Sequence, residues 1–153
     1  MNDKTAHDKA LLLDQQLCFR LYKASRLMIR LYTPHLDKLG LTYPQYLVLL
    51  VLWEKKSIGF KELGEQLQLK TGTLTPVVQR LIHSGYLSKE KHPEDDRKTC
   101  IAITQAGLDL IPEARKIPRE LAKALNLTEA EFLDAIEMLD ALNEKLMIAV
   151  FDE

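Results

Sequence analysis

Cysteine is scarce in this chain of 153 residues, and long apolar runs are absent. The two cysteines, Cys18 and Cys100, are too few for a disulfide framework. Neither has a histidine or a second cysteine at zinc-ligand spacing, so we expect no metal and no other cofactor. No apolar stretch approaches the roughly 18 residues that span a membrane, and the first residues do not resemble a secretory signal peptide. These absences favour a globular, cytoplasmic protein with no membrane partner.

The charge of the chain is unevenly distributed, although the net charge is only −1. Residues 55–98 contain nine lysines and arginines against six acids, a local charge of +3, whereas the rest of the chain carries −4. Such an asymmetry favours a central module that faces phosphate, framed by acidic helices. Mixed charge often only solvates a surface, so this observation needs support from the pattern of the elements.

Helical periodicity dominates both ends of the chain. Along residues 9–34 the apolar positions fall three and four apart on two neighbouring stripes, which predicts one long helix buried on two sides and ended by Pro34. Residues 105–124 are predicted to form another helix. The last helix begins after Thr128, which forms a capping box with Glu131.

The middle of the chain alternates short helices and strands. Helices are predicted over 44–56, over 61–67 and from about 71 to 84, the last with a local irregularity at Pro76. Residues 57–60 are predicted to be extended. Residues 86–91 and 99–104 are predicted to be paired strands joined by a polar loop, HPEDDRK at 92–98.

This order of elements predicts a mainly α fold with a small β wing. We expect a single domain, 1–153, in which a winged helix-turn-helix occupies 44–104 and its wing occupies 86–104. The flanking segments 9–34 and 105–150 are then dimerisation helices. A winged helix-turn-helix places one helix in the major groove, and a homodimer reads a palindromic site in double-stranded operator DNA.

Several motifs resemble the MarR family of bacterial transcriptional regulators. The motifs are FKELGEQL at 60–67, TGTLTPVVQRL at 71–81, GYL at 85–87, DDR at 95–97 and ITQAG at 103–107. A narrower set resembles the organic hydroperoxide sensors of that family, of the one-cysteine type: LCF at 17–19, Tyr22, SR at 25–26, Tyr32 and LTYPQYLVL at 41–49. The resemblance covers nearly the whole chain, and the motifs are specific as a set.

In that branch the resemblance makes Cys18 the redox sensor. It implies that Tyr32 and Tyr43 hydrogen-bond to the thiol across the dimer interface and that Tyr22 lies nearby. Without the resemblance, a lone cysteine on an apolar stripe is commonly an inert small hydrophobe, and interfacial tyrosines commonly only pack. Phenol hydroxyls that donate to sulfur favour the thiolate, which is the form that attacks a peroxide.

The second cysteine is assigned no sensing role. Cys100 begins a predicted wing strand, and no cysteine follows it in the chain. We therefore interpret Cys100 as structural or incidental. Oxidised Cys18 is then expected to condense with a small cellular thiol or to over-oxidise.

Candidate DNA contacts lie on the predicted recognition helix and on the wing. Short hydroxyls at a helix N-terminus suit phosphate and base edges, and a wing arginine suits the negative minor groove. Each of these side chains could instead be a cap or an ordinary solvated charge. The candidates are Thr71, Thr73, Thr75, Gln79 and Arg80 on the helix, and Asp95, Arg97 and Lys98 on the wing.

The leading hypothesis is a DNA-binding repressor, not an enzyme, that senses organic hydroperoxides through Cys18 and then releases its operator. A MarR-type repressor released by a small aromatic ligand is the first alternative. A thiol peroxidase is the second, which the absence of a second cysteine near Cys18 disfavours. A purely structural dimerisation module would leave the basic wing without a purpose.

Overall fold

The computed structural model of the protein describes residues 9–92 and 95–151, and their side chains except those of 92–98. A single 3₁₀ turn, Leu13–Gln15, precedes the first long helix. The helices are α1 (Leu17–Asp37), α2 (Tyr43–Lys55), α3 (Phe60–Leu67), α4 (Thr71–His83), α5 (Gln105–Leu108), α6 (Ile111–Ala114), α7 (Ile117–Leu125) and α8 (Glu129–Phe151). The strands are β1 (Ser57–Gly59), β2 (Leu87–His92) and β3 (Asp95–Ile103).

The three strands form one antiparallel sheet in the order β1-β3-β2. In the register, Ile101 of β3 lies opposite Ile58 of β1 and Lys89 of β2. Strand β1 precedes α3, and β2 and β3 follow α4 as the wing, so the predicted mainly α fold with a small β wing is confirmed. The chain divides into two compact units, one ending at Ile117 and the other beginning at Pro118.

Buried leucines from three helices make the core of the first unit. Leu49 and Leu52 of α2, Leu63 of α3, and Leu74 and Leu81 of α4 are each at most 1% exposed. The start of α2 is fixed by the side chain of Gln45, which accepts a 2.8 Å hydrogen bond from the Thr42 backbone N–H. This is half of a capping box, and it satisfies a donor that the helix leaves open. The core therefore holds the helix-turn-helix rigidly against α2.

The prediction of one helix over 9–34 was wrong at both ends. The helix begins at Leu17 and continues through Pro34 to Asp37. A proline inside a helix costs about 3 kcal/mol. The extra turn buries Leu36, which is 1% exposed, and burying a leucine contributes a comparable 1.5–3 kcal/mol or so. The turn after the helix is closed by Gly40, at φ +66°.

The prediction of one helix over 105–124 was also wrong. The segment forms three short helices, α5, α6 and α7. Pro112 and Pro118 each occupy the second position of a new helix. Proline is tolerated there because first-turn N–H groups have no acceptor within the helix. The two prolines therefore mark restarts that apolar periodicity alone does not reveal.

Two further expectations failed in the middle of the chain. Helix α4 is continuous through Pro76, without the expected irregularity. The predicted loop 92–98 is mostly strand, because β3 begins at Asp95 and pairs with His92. Backbone pairing in a two-stranded ribbon does not depend on side-chain polarity when one face is solvated. The strands of the wing are therefore longer than the polar composition indicated.

Candidate thiol site and nucleic-acid interface

Cys18 lies in the first turn of α1 as a free, exposed thiol. The first turn is the electropositive end of a helix, where negatively charged groups are stabilised. Its neighbour one turn along, Tyr22, is 57% exposed. The Tyr22 hydroxyl accepts a 3.1 Å hydrogen bond from Arg26 Nη1, and the guanidinium carbon lies 5.4 Å from the ring centroid. The phenol keeps its own hydrogen for a further acceptor.

Tyr32 of α1 and Tyr43 of α2 form a pair, called the sensor tyrosines below. Their ring centroids are 5.3 Å apart in an edge-to-face arrangement. Burial raises the pKa of both phenols, and the Tyr43 phenol raises that of Tyr32 further. A raised pKa keeps these hydroxyls protonated at neutral pH. They can therefore act as hydrogen-bond donors, as a thiolate requires.

Tyr46 is a third member of this cluster that the sequence prediction missed. Its ring lies 5.7 Å from that of Tyr32, and the residue is 3% exposed. Burial, with smaller effects from the other two phenols, raises the pKa of Tyr46 to about 12. Tyr46 follows Tyr43 by three residues, so the two share a face of α2. That spacing was the available signal.

Cys18 and the sensor tyrosines of one chain stand far apart. Cys18 and Tyr32 are separated by 14 residues of the same helix, which corresponds to about 21 Å at 1.5 Å per residue. Tyr43 lies beside Tyr32 at that far end. Of the three tyrosines predicted to support the sensor, a single chain therefore brings only Tyr22 near the thiol.

Helix α4 presents one buried face and one exposed face. Leu74, Val78 and Leu81 are buried, at successive spacings of four and three. The opposite stripe is exposed and contains no acidic residue; its members are Gly72, Thr73, Pro76, Gln79, Arg80 and His83. Four of the five predicted contacts of this helix (Thr71, Thr73, Gln79 and Arg80) are exposed. Pro76 and His83, which the sequence prediction did not include, lie on the same exposed face. This face is exposed and carries an arginine and no acid, so it would not repel a polyanion.

Thr75 differs from the other predicted contacts on α4. It is partly buried, and its hydroxyl donates a 2.8 Å hydrogen bond to the Thr71 carbonyl within the helix. Its hydrogen is therefore already used by the helix backbone. The oxygen alone remains for a donor on a ligand.

The acids of the neighbouring helix α3 are paired with lysines. Glu62 accepts a 2.8 Å ion-pair contact from Lys55, and Glu65 lies 3.6 Å from Lys61. These exposed pairs add little stability. Each acid of α3 therefore has a lysine beside it, and its charge is compensated locally.

Three of the predicted DNA contacts lie on the wing. Asp95, Arg97 and Lys98 all belong to β3. Their side chains lie outside the residues whose side chains are described. Their roles in DNA binding stay predictions.

Cys100 is 2% exposed on β3. Its Sγ lies 3.6 Å from the carbonyl oxygens of Glu90 and Lys91, either of which can accept the single hydrogen of the thiol. A buried thiol held by backbone carbonyls behaves as a small hydrophobe, and peroxide has no open approach to it.

The described residues contain no cluster of three or more histidine, cysteine or acidic side chains that could hold a metal ion. Within residues 9–92 and 95–151, no helix is both long enough and apolar enough to cross a membrane.

The fold and the α4 face define a winged helix-turn-helix DNA-binding regulator. A family model described as transcriptional regulator SarA/Rot matches residues 30–114. The organic hydroperoxide resistance transcriptional regulator of Bacillus subtilis is 46% identical over 118 residues, 77% of this chain and 78% of that protein. The chain belongs to the MarR family of transcriptional regulators, in its organic hydroperoxide regulator branch. Such relatives are regulators and not enzymes, and the same holds for this chain.

Solved structures of AbfR from Staphylococcus epidermidis resemble the chain in three chemical states. Reduced AbfR bound to DNA matches with a TM-score of 0.78 and 30% identity, covering 98% of this chain and 99% of AbfR. Overoxidised AbfR bound to DNA matches with 0.72, and disulfide-formed AbfR with 0.60. Both of these are 31% identical and cover 92% of this chain and 98% of AbfR.

Proposed function

We propose that this regulator is a homodimeric repressor that binds a palindromic operator and releases it when an organic hydroperoxide oxidises Cys18. The observation that carries the proposal is the separation within α1. An exposed free thiol stands at one end of the helix, and a pair of protonated phenols stands at the other. A two-fold axis that packs two copies of α1 in opposite directions places each thiol beside the partner's phenols.

Exposed apolar residues support the dimer. No residue of α8 is buried, and ten of its large hydrophobic residues are exposed. In α1 the residues Leu17, Leu27 and Met28 are likewise exposed. Contiguous apolar surface of this kind marks a protein interface. We therefore assign dimerisation to segments 9–34 and 105–150, on either side of the winged helix-turn-helix at 44–104.

The proposed first step, oxidation of Cys18 to a sulfenic acid, needs only the hydroperoxide, and the mixed disulfide that follows needs a small cellular thiol as a second reactant. The Cys18 thiolate attacks one oxygen of the hydroperoxide, the O–O bond breaks, and the alkoxide leaves and takes a proton to become an alcohol. The sulfur loses two electrons and becomes a sulfenic acid. A small cellular thiol then condenses with it, forming an S–S bond and releasing water. Further hydroperoxide instead converts the sulfenic acid to a sulfinic acid.

Oxidation would act on DNA binding through volume. A mixed disulfide adds a bulky group inside a packed interface, and overpacking costs roughly 1–3 kcal/mol. The dimer must hold two recognition helices one helical turn of DNA apart, so a small shift in their spacing weakens binding. Two AbfR states support release through a disulfide, because the disulfide-formed state resembles the present chain less than the reduced, DNA-bound state does. Overoxidised AbfR is bound to DNA, so it does not support release through over-oxidation.

The α4 face and the wing supply the DNA interface in this proposal. Thr71, Thr73, Gln79 and Arg80 reach base edges and phosphates in the major groove, with Thr75 as an acceptor at most. On the wing, Arg97 enters the minor groove, Asp95 holds it in place, and Lys98 meets a phosphate.

The deciding experiment is an operator titration by fluorescence anisotropy with the wild type, Cys18→Ser and Cys100→Ser, before and after cumene hydroperoxide. Mass spectrometry of Cys18 accompanies each titration. The wild type and Cys100→Ser should release the operator on oxidation, and Cys18→Ser should stay bound. Release of the Cys18→Ser protein would overturn the proposal. Release caused by a small aromatic compound without oxidation would favour the ligand-controlled alternative.

A further inference from the structure

The aromatic cluster around the sensor tyrosines extends towards the wing. Tyr46 contacts Tyr32 on one side, and on the other its ring lies 6.1 Å from that of Trp53, edge to face. Trp53 lies two turns further along α2. Its indole Nε1–H donates a 2.9 Å hydrogen bond to the carbonyl oxygen of Gly107, which is 54 residues away in sequence. A continuous series of contacts therefore leads from Tyr32 out of α2.

Gly107 is fitted tightly against the start of the wing. A Cβ at this position would overlap the Tyr86 carbonyl oxygen and the Ile103 side chain. The Gly107 N–H donates a 3.1 Å hydrogen bond to the Thr104 hydroxyl, which itself donates a 2.6 Å bond to the Gly85 carbonyl. The Thr104 N–H also donates to the Tyr86 carbonyl at 3.1 Å. Any displacement of Gly107 therefore acts directly on Gly85 and Tyr86.

Gly85 and Tyr86 join the recognition helix to the wing. Helix α4 ends at His83, β2 begins at Leu87, and Gly85 adopts φ +78° between them. A positive φ is the left-handed conformation that ends helices and that glycine adopts without strain. The direction of the wing relative to α4 is set at these two residues.

We propose that Tyr46 and Trp53 are positioning residues that couple the sensor tyrosines to the joint between the recognition helix and the wing, through the Trp53–Gly107 hydrogen bond. This inference rests on the proposed function, since it assumes that the sensor tyrosines respond to oxidation of Cys18. Neither residue touches the thiol or the DNA in this scheme.

The contacts suit transmission of a movement. Aromatic rings are rigid, and close-packed interiors transmit displacements because they contain few voids. When the partner's Cys18 gains a bulky group, the sensor tyrosines must move. The movement of Tyr32 then displaces Tyr46 and Trp53, and the directional hydrogen bond carries it to Gly107. A residue that merely packs would contribute to stability without affecting how oxidation changes DNA affinity.

The test is the Trp53→Phe variant, which keeps an aromatic ring and removes the N–H donor. Lys55→Gln is the matched control, because Lys55 lies on the same helix and its 2.8 Å contact with Glu62 lies outside this series of contacts. For each protein, operator affinity is measured reduced and after hydroperoxide treatment, and the rate of Cys18 oxidation is followed by mass spectrometry.

We expect Cys18 of the Trp53→Phe variant to be oxidised at the wild-type rate, and we expect the reduced variant to bind operator. The ratio of oxidised to reduced Kd should fall by about fivefold or more, a typical size for coupling between two sites. Lys55→Gln should keep the wild-type ratio. A wild-type ratio in Trp53→Phe would overturn the inference. A wild-type protein that itself keeps its operator after oxidation would instead show that the proposed function is wrong.

The wild type offers a second test that does not depend on a variant. Trp53 is the only tryptophan of the chain, so intrinsic fluorescence reports on this position alone. Oxidation should change its emission maximum or intensity in the wild type, with the time course of Cys18 oxidation, and should leave Cys18→Ser unchanged. Identical spectra before and after complete oxidation of Cys18 would contradict the inference, even if Trp53→Phe failed to fold.

Discussion

A mixed dimer can test whether the thiol of one subunit receives hydrogen bonds from the phenols of its partner. The first subunit carries Cys18→Ser with both sensor tyrosines intact. The second keeps Cys18 and carries Tyr32→Phe and Tyr43→Phe. Both carry Cys100→Ser, so each mixed dimer contains one thiol. Two different affinity tags isolate the mixed species. Its only thiol then faces intact phenols if the site is shared between subunits.

The expected decrease in the rate of Cys18 oxidation follows from the hydrogen bonds that the two substitutions remove. Each substitution removes one hydroxyl and keeps the ring, so the 5.3 Å ring contact can persist. A hydrogen bond to a charged group contributes about 1.5–3 kcal/mol, which is roughly 10- to 150-fold in the thiolate population. Water replaces part of the lost hydrogen bonding, and a thiolate that accepts fewer hydrogen bonds is a stronger nucleophile. The oxidation rate therefore changes less than the thiolate population does. We therefore expect the doubly substituted homodimer to oxidise at least about tenfold more slowly than a Cys100→Ser homodimer.

The assay follows loss of the free thiol under limiting cumene hydroperoxide, by quenched-flow alkylation and mass spectrometry. The thiol of the mixed dimer should oxidise as fast as that of the Cys100→Ser homodimer. If it reacts as slowly as the doubly substituted homodimer, the phenols act within their own chain and the two-fold arrangement is wrong. If all three species react alike, the phenols only pack.

Three further outcomes are expected. Arg97→Ala should weaken operator binding and reduce the salt slope by about 1, measured by anisotropy at several salt concentrations; unchanged values would remove Arg97 from the interface. Sedimentation at micromolar concentration should find a dimer, and a stable monomer would contradict the assignment of α1 and α8. Hydrogen bonds from Thr128 lower the pKa of Glu131, so the stabilisation from ionised Glu131 is present at neutral pH and lost as the pH falls through its lowered pKa. Thermal melts of the wild type and Glu131→Ala should therefore differ at pH 7 and converge at low pH, and a difference that persisted in acid would show another origin.

Local sequence patterns were sufficient where the physics is local. The Thr128–Glu131 capping box forms as predicted, with the Glu131 carboxylate accepting from both the N–H and the hydroxyl of Thr128 at 2.8 Å. The helix-turn-helix was predictable because the buried stripe of α4 repeats at three and four residues. Both signals depend only on neighbours within one or two turns.

Tertiary packing explains the expectations that failed. Pro34 is a strong stop signal, yet the burial of Leu36 carries α1 beyond it. The polar composition of segment 92–98 predicts a loop, because the types of its side chains do not indicate that its backbone pairs with another strand. The Trp53–Gly107 hydrogen bond links residues that are 54 positions apart, and no periodicity in either segment predicts it. Such features become visible only when the chain is folded.

The separation of Cys18 from its own sensor tyrosines has a consequence for how such a switch would behave. A monomer exposes the thiol at one end of α1, about 21 Å from the phenols that would stabilise its thiolate. In the proposed dimer, association would bring the thiol and the phenols together, and it would also set the spacing of the two α4 helices. The exposed apolar residues of α1 and α8 would therefore hold together the dimer in which the reactive site forms. In this arrangement the dimer would both react fastest with hydroperoxide and occupy the operator. The monomer, which does not repress, would consume little oxidant.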